Sequence, residues 1–498
     1  MKEHFCWVDQ NLDYTFSHWA FDIVINLIYT NFDFNGIYIS IILITIIIGV
    51  TLFVLLSKKN KSPVISFFIT LICLYIIKNA FVARSQIVSF LCFIIEIYCI
   101  EQFIDTNKKK YAITIIILSI IVANFHAATW PLVIILFMPY IVTGIYNIFE
   151  SNYFYERKII KLEKKILKLH IESNEKEKYK KEIKKYETIC NKRIANKGGK
   201  YKNYKIIRKE SYNLKNLIII LLMVSLTGLI TPIHGTPYTY IINSMFGESN
   251  FENGLASIDY IVEMQPIIPI TNIAFITFSI ILFAFMIFLP SKIKMEHVFL
   301  VLGLYGMSLI SVRYVRLLVL IGAYVINDLW VYTTNLLMED DINSLEKFFV
   351  KASAIICLFV FTIIFTSNEL IKSENDKYIE KNKYPVEAVE YIKKNIDCEK
   401  MRIYNSYENG SYLMLNNIPV FIDSRLDVYC SEFNDTDIFY DFVSVKSGNK
   451  HYDEIFVAVS RSISDLANGR YLGKNFESDA FGVKPFDVTI DAIFNKSM

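Results

Sequence analysis

The sequence predicts an all-α polytopic membrane protein of about ten transmembrane helices, followed by a small α/β extracytoplasmic domain. Hydrophobic residues make up 53% of the 498-residue chain and aromatic residues 15%, and most of them lie in long apolar runs. Basic loops recur between these runs, and the C-terminal part of the chain is polar and acidic. A soluble protein with several such runs would aggregate, so the soluble classes are excluded.

A membrane-spanning helix needs about 20 mostly apolar residues, because the hydrocarbon core is about 30 Å thick. Segments that reach or approach this length recur along the chain. We predict spans at Gly36–Leu56, Pro63–Ala80, Gln86–Ile104, Tyr111–Phe125, Trp130–Phe149, Lys215–Ile233, Pro266–Pro290, Val298–Ser311, Leu317–Leu337 and Phe348–Ser367.

The orientation of these spans follows from the distribution of Lys and Arg. Basic stretches with the sequences SKKNKS, DTNKKK and SKIKMEH follow the first, third and seventh spans. A fourth basic segment, Glu150–Leu214, carries 20 Lys or Arg against 9 Asp or Glu, a balance of +11. All four lie on one side if the spans alternate, so we expect that side to be cytoplasmic and both ends of the chain to be outside.

This topology divides the chain into five predicted parts. They are an extracytoplasmic N-terminal loop (1–35), five spans (36–149), a basic cytoplasmic helical insert (150–214), five further spans with an outer loop at 234–265 (215–367), and an extracytoplasmic α/β domain (368–498). The lysine-rich periodicity of the insert is typical of a solvated helix held near anionic lipid.

The predicted C-terminal domain holds 16 Lys or Arg against 22 Asp or Glu. Its segment YPVEAVEYIKKN has helical periodicity, with Pro385 suited to the first turn, and NIPVFIDSR predicts a strand. We expect Asp423 and Arg425 to form an ion pair that closes a turn, with acceptor binding as the alternative. Sequence alone leaves open whether Cys398 and Cys430 pair.

His126 interrupts Tyr111–Phe149, a run of 39 residues without Lys, Arg, Asp or Glu. An ionisable group inside a bilayer is expensive and usually functional. The run is long enough for two membrane crossings, so we predict a helical hairpin with His126 in its outer turn.

Other polar residues collect on the same predicted outer side. Arginine can bind phosphate with two parallel hydrogen bonds, histidine can donate to it, and a carboxylate can deprotonate a hydroxyl. Snorkelling to lipid headgroups is the alternative for the arginines, and turn capping is the alternative for His126. The candidate residues are Asp9, Asp13, His18, Arg84, His126, His234, Glu263, Arg313 and Arg316.

Five stretches of the chain together carry a family resemblance. They are ARSQIVSF, VANFHAATWP, SIDYIVEMQP, SVRYVR and, in the C-terminal part, NSYENGSYLMLNNIPVFIDSRLDVY. They resemble motifs of a bacterial branch of the GT-C superfamily, the multi-span glycosyltransferases that use polyprenyl-phosphate sugars, and its protein mannosyltransferase-like group in particular. In that family one more span precedes an outer loop that carries the catalytic aspartate, and YTFSHWAFDIVINLIY resembles the end of that loop. We therefore expect the first span and that aspartate to be missing here, with Asp9 or Asp13 as the substitute.

The resemblance implies an enzyme that transfers a sugar from a polyprenyl-phosphate donor to a glycan or protein acceptor outside the plasma membrane. It implies Asp13 or Asp9 as the general base and the histidines, arginines and Glu263 as substrate ligands. No metal-ligand set stands out, although the outer carboxylates would suit a divalent cation. We expect membrane lipid but no nucleic acid among the partners.

Two other functions remain open at this stage. A transporter of lipid-linked substrates predicts charges within spans, for which Glu96 and Asp328 are the candidates. A truncated, non-catalytic protein of cell-envelope assembly would use the acidic domain to bind a partner.

Overall fold

A computed structural model gives the fold of the chain, which is mostly helical. The structure describes residues 5–8, 12, 14–59, 63–150, 158–159, 161–163, 177–189, 206–207, 213–246, 264–267, 272–289, 292–334, 384–397, 402–434 and 437–447. They fall into two compact units. One comprises 18–237 and 266–354, and the other comprises 1–17, 238–265 and 355–498.

The structure describes fourteen named α-helices, numbered here in chain order. They are α1 (Trp19–Lys59), α2 (Pro63–Ile76), α3 (Gln86–Thr106), α4 (Lys109–Phe125), α5 (Trp130–Glu150), α6 (Leu214–Leu226), α7 (Thr236–Phe246), α8 (Ile273–Phe288), α9 (Met295–Ile310), α10 (Val315–Thr334), α11 (Val386–Asn395), α12 (Gly410–Leu415), α13 (Leu426–Tyr429) and α14 (Ile438–Ser447). A further helical segment covers 177–189.

A helix occupies each of the first nine predicted spans, and the tenth, Phe348–Ser367, lies outside the described residues. Four helical stretches among the described residues are long and apolar enough to cross a membrane. They are Trp19–Lys59, Gln86–Thr106, Ala127–Asn147 and Val312–Thr333. The predicted helical class and the presence of membrane-compatible helices are therefore confirmed.

Helix α1 begins well before the predicted span at Gly36. Its 41 residues would extend about 60 Å as one straight rod, about twice a bilayer core. Asp33 interrupts the helix with φ 56° and ψ −157°, so the chain changes direction there. The part after this kink contains the predicted span.

Helices α3 and α10 form the interior of the larger unit. Most residues of α3 are buried, and α10 carries the fully buried run Leu317–Ile326. Helix α3 packs against α1, α4, α5 and α10, and α10 packs against α1, α2, α8 and α9. Two short strands, β1 (Ile206–Ile207) and β2 (Ile293–Lys294), pair in parallel immediately before α9.

The smaller unit joins the beginning of the chain to its C-terminal part. The backbone N–H of Trp7 donates to the Val420 carbonyl at 3.0 Å, and the Val420 N–H donates to the Phe5 carbonyl at 2.9 Å. Cys6 and Val420 form a parallel β-bridge, which is the only extended pairing described for the predicted strand NIPVFIDSR. The predicted helix after Pro385 is present as α11.

Apolar side chains from both segments share the core of this unit. Cys6 and Leu12 are buried together with Phe421, Tyr429 and Phe442. Cys430 is a buried free thiol, and Cys398 lies outside the described residues. Cys6 and Leu12 of the N-terminal segment therefore contribute to the hydrophobic core of the smaller unit.

We expect Gly410→Ala to destabilise the smaller unit by about 2–4 kcal/mol. A Cβ at Gly410 would overlap the carbonyl oxygen of Ile422 and approach the backbone of Asp423. Thermal unfolding of the detergent-purified chain measures the loss. Gly303→Ala in α9 is the matched control, because a Cβ there meets nothing within 4 Å. Equal melting temperatures for the two variants would contradict the close packing at Gly410.

Candidate functional site

His126 lies in a tight turn between two apolar helices. Helix α4 ends at Phe125, and the His126 backbone N–H donates to the Val122 carbonyl at 2.8 Å. A short 3₁₀ turn, Ala127–Thr129, then leads into α5. The side chain of His126 is only 2% exposed, so it points into the protein, as a polar group with internal partners must.

The contact with Arg313 determines which nitrogen of the neutral His126 imidazole carries the proton. The Nη2 atom of Arg313 lies 3.1 Å from the Nε2 atom of His126. Because a guanidinium group can only donate, Nε2 must accept, and the proton of the neutral imidazole is on Nδ1. The Nδ1–H group then donates to the Ser89 hydroxyl oxygen, 3.2 Å away.

The same hydrogen-bond chain closes on the turn itself. Ser89 Oγ lies 3.2 Å from Thr129 Oγ1, and the Thr129 hydroxyl donates to the His126 carbonyl at 3.1 Å. In this arrangement the Ser89 hydroxyl accepts from His126 and donates to Thr129, and the Thr129 hydroxyl accepts from Ser89 and donates to the His126 carbonyl. Satisfied buried networks of this kind hold side chains in one arrangement.

A second network supports the turn from the side of α6. The indole Nε1–H of Trp130 contacts the hydroxyl oxygens of Ser119 and Thr227 at 3.0 and 3.1 Å. The side-chain amide of Asn124 donates to the carbonyl of Ile230 at 3.0 Å. Asn124 and Trp130, which flank His126 in the sequence, thus both bond to the segment that follows α6.

His18 completes the cluster that we call the histidine–arginine site: His18, His126 and Arg313. The imidazole rings of His18 and His126 lie 5.0 Å apart between centroids. Burial and then the nearby guanidinium of Arg313 lower the pKa of His18 to about 4. Burial and the charges of His18 and Arg313 lower the pKa of His126 as well.

The site therefore combines two neutral imidazoles with one permanent cation near pH 7. Its charge comes from Arg313 alone, which is half-buried beside the start of α10. A guanidinium group has five N–H donors in a planar fork that matches carboxylate and phosphate oxygens. The arrangement can bind an anion, whose charge would favour proton uptake by the histidines.

The structure brings together three of the candidate residues named from the sequence. Arg84 and His234 lie on exposed turns, and His234 adopts a positive φ of 50°. Arg316 is half-buried in the first turn of α10. The proposed carboxylates Asp9, Asp13 and Glu263 lie outside the described residues.

Sequence reasoning missed Ser89 and Thr129. Both are small hydroxyl residues in apolar segments, where they usually bond to the backbone of their own helix. Ser89 lies seven residues, or about two helical turns, before Glu96 on α3. This spacing places both polar side chains on one face of the helix and could have indicated Ser89 as a site residue.

A second cluster, which we call the charge cluster, is buried at Glu101 and His297 and half-buried at Lys59, Lys294 and Asp328. Glu101 and His297 meet at 2.5 Å, and Asp328 lies 2.8 Å from the Lys294 ammonium. Lys59 pairs with both carboxylates. Asp328 was a candidate for transport, whereas the other four members were not singled out from the sequence.

Three members of the charge cluster have a spacing that a metal ion could use. One ligand atom each from Glu101, His297 and Asp328 lies within 4.8 Å of the others. However, Lys59 and Lys294 already occupy cation positions beside both carboxylates. A divalent ion would add two charges to carboxylates that two lysines already neutralise, so an ion-pair network fits these residues better.

Asp423 and Arg425 form the ion pair predicted from the sequence. The fully buried carboxylate of Asp423 accepts from the Arg425 Nε at 2.9 Å and Nη2 at 2.6 Å. It also accepts from the backbone N–H of Arg425 at 2.9 Å and from the Tyr429 hydroxyl. The guanidinium lies over the ring of Tyr14, 5.3 Å from its centroid. The pair closes the turn before α13.

Comparison of the chain with protein-family models, curated proteins and solved structures finds no match in any of the three.

Acidification should destabilise the fold through the histidine–arginine site. The unfolded chain binds a proton on His18 near pH 6.5, whereas the folded chain binds it only near pH 4. Between these values the unfolded state holds more protons, so stability falls as the pH falls. We expect up to about 2 kcal/mol from His18 between about pH 7 and pH 5.

Melting temperature against pH, measured on the wild type and on His18→Gln, checks this expectation. The variant should lose part of the slope, and the exposed His234→Gln control should keep it. If His18→Gln keeps the full wild-type slope of melting temperature against pH, then His18 is protonated equally in the folded and unfolded states.

Asp423→Asn should destabilise the smaller unit by about 3 kcal/mol, because the change leaves the charge of Arg425 uncompensated. Urea or thermal unfolding measures the loss. Ser424→Ala, at the exposed neighbouring position, is the control and should stay within about 0.5 kcal/mol of the wild type. A loss as small as that of the control would mean that the ion pair contributes nothing.

Proposed function

We propose that the protein is a membrane glycosyltransferase that transfers a sugar from a polyprenyl-phosphate donor to an acceptor at the outer face of the plasma membrane. The observation that carries the proposal is the convergence of His18, His126 and Arg313, three residues separated in sequence, on one site. The family resemblance of the motifs around His126 and Arg313 supports it.

Arg313 is the group that binds the donor phosphate in this proposal. Its planar fork suits two phosphate oxygens, and its charge is independent of pH. His126 accepts a hydrogen bond from Arg313, so it orients the guanidinium rather than binding the donor itself. His18, the neighbouring imidazole, supplies a further N–H donor to the phosphate.

The reaction requires one bond to form and one to break. The acceptor hydroxyl attacks the anomeric carbon of the sugar and loses its proton to a carboxylate, for which Asp9 and Asp13 are the candidates. The bond between that carbon and the phosphate oxygen breaks, and the polyprenyl phosphate leaves. Arg313 stabilises the negative charge that develops on the leaving phosphate.

The proposed location follows from the basic loops and the apolar helices. In this arrangement about ten spans cross the plasma membrane, with the turn at His126 and the C-terminal domain outside. An aqueous acceptor would then reach the site from outside, while the lipid donor reaches it from the bilayer.

A lipid-substrate transporter is the second candidate, and one observation favours it. Glu96 lies in the middle of α3, is 1% exposed, and its Oε1 atom has no hydrogen-bond partner among the described residues. Buried carboxylates in spans often lie on substrate or ion paths. The other transport candidate, Asp328, is ion-paired with two lysines, which gives it a structural explanation.

Arg313→Lys tests the glycosyltransferase proposal. Lysine keeps the charge but loses the planar fork, so we expect kcat/KM to fall about tenfold or more. The assay follows release of polyprenyl phosphate from a panel of polyprenyl-phosphate hexoses in proteoliposomes that are supplied with glycan and protein acceptors. Arg402→Lys is the matched control, because that exposed guanidinium lies over Trp7 in the smaller unit.

Two results would overturn the proposal. One is an absence of polyprenyl phosphate release by the wild type across the panel. The other is an Arg313→Lys variant as active as Arg402→Lys. Gradient-dependent movement of the intact polyprenyl-phosphate sugar between the two leaflets, without release of polyprenyl phosphate, would favour the transporter.

A further inference from the structure

Glu101 is the centre of the charge cluster. The residue is only 4% exposed. Its carboxylate contacts the ammonium groups of Lys59 and Lys294, the latter at 3.2 Å. The imidazole of His297 contacts the same carboxylate at 2.5 Å, and the Tyr324 hydroxyl donates to it at 3.2 Å. The Tyr140 hydroxyl donates to it at 3.5 Å, so six elements, namely α1, α3, α5, β2, α9 and α10, meet at this one side chain.

The charges of the cluster balance without any ligand. Glu101 and Asp328 supply two negative charges, and Lys59 and Lys294 supply two positive charges. Buried ion pairs are tolerated only when their atoms are well bonded, and removal of one partner leaves a charge that is expensive to bury. The cluster is therefore a fixed junction between helices rather than a vacant binding site.

The junction is reinforced one residue away on α10. The side-chain amide of Asn327 donates to the Leu56 carbonyl at 3.1 Å, and its oxygen faces the Ser66 hydroxyl at 3.2 Å. Asn327 is fully buried. These bonds tie α10 to the end of α1 and to α2 at the same level as the charge cluster.

Helices α3 and α10 connect the charge cluster to the histidine–arginine site. Ser89, which accepts from His126, lies 12 residues before Glu101 on α3, a rise of about 18 Å. Arg313 directly precedes α10, and Asp328 lies 15 residues later, a rise of about 22 Å. The two helices pack directly against each other.

The register between these two helices decides whether the site can form. If one of these helices slides along the other by one residue, the residues at its other end move by about 1.5 Å. The hydrogen bonds from Arg313 to His126 and from His126 to Ser89 are 3.1 and 3.2 Å long, so a shift of that size would break them.

We propose that Glu101 is a positioning residue that sets the register of α3 against α10, so that Ser89 and Arg313 meet at His126. The proposal deepens the proposed function, since it rests on Arg313 as the donor-binding group. Its test uses the ring protons of His126, which need no sugar donor.

The measurement is the nitrogen NMR spectrum of the full chain, labelled with ¹⁵N-histidine and held in lipid nanodiscs. The wild type should show one neutral imidazole protonated on Nδ1, assigned to His126 by its loss in His126→Gln. In Glu101→Gln this single form should give way to a mixture of the two neutral tautomers. Lys294→Glu should have the same effect, and adding Asp328→Lys to it should restore the wild-type spectrum.

Glu96→Gln is the matched control on the same helix. It removes a buried carboxylate that is not part of the charge cluster, and it should leave the His126 signal unchanged. Should Glu101→Gln not yield folded protein, Lys294→Met is the second variant, because that side chain is 37% exposed and its loss is milder.

Two outcomes would overturn the positioning role. In one, Glu101→Gln and Lys294→Met lower the melting temperature but keep the wild-type His126 signal. In the other, Glu96→Gln changes the signal as much as Glu101→Gln does. Failure of the proposed function remains distinguishable, since inactivity toward polyprenyl-phosphate sugars would leave these spectra unaffected.

Discussion

The hydrogen bond between Arg313 and His126 is the interaction on which the candidate site depends. Because arginine has no acceptor, this one contact decides which nitrogen of His126 is protonated and therefore what Ser89 and Thr129 can do. It also joins the turn between α4 and α5 to the start of α10, two segments that are far apart in sequence.

Much of the larger unit could be predicted from local sequence. Apolar runs of about 20 residues are a strong signal, and the helices occupy the predicted spans wherever the structure describes them. His126 was predicted to lie in a turn because the run around it was too long for one crossing, and it does lie between α4 and α5. The start of α1 was missed because its first turns mix apolar residues with Asp22, Asn26 and Asp33.

Local sequence patterns could not predict which residues pair within the histidine–arginine site and the charge cluster. Glu101 and His297 are 196 residues apart, and their pairing depends on how six elements pack. Hydropathy identifies the helices but not the rotation of each one about its axis, which decides whether Glu101 faces lysines or lipid. Asp423 and Arg425 were predictable for the opposite reason, since they are two residues apart and one turn brings them together.

The backbone pairing of the N-terminal segment with Val420 has a consequence for biosynthesis. Cys6 and Phe421 are 415 positions apart, yet they share one core and a direct contact. At about 5–20 residues per second, the ribosome needs roughly 20–80 s to supply the second strand after the first has emerged. During that interval the first segment of the chain must stay unaggregated without its native partner. The smaller unit is thus completed only after the intervening helices have been synthesised.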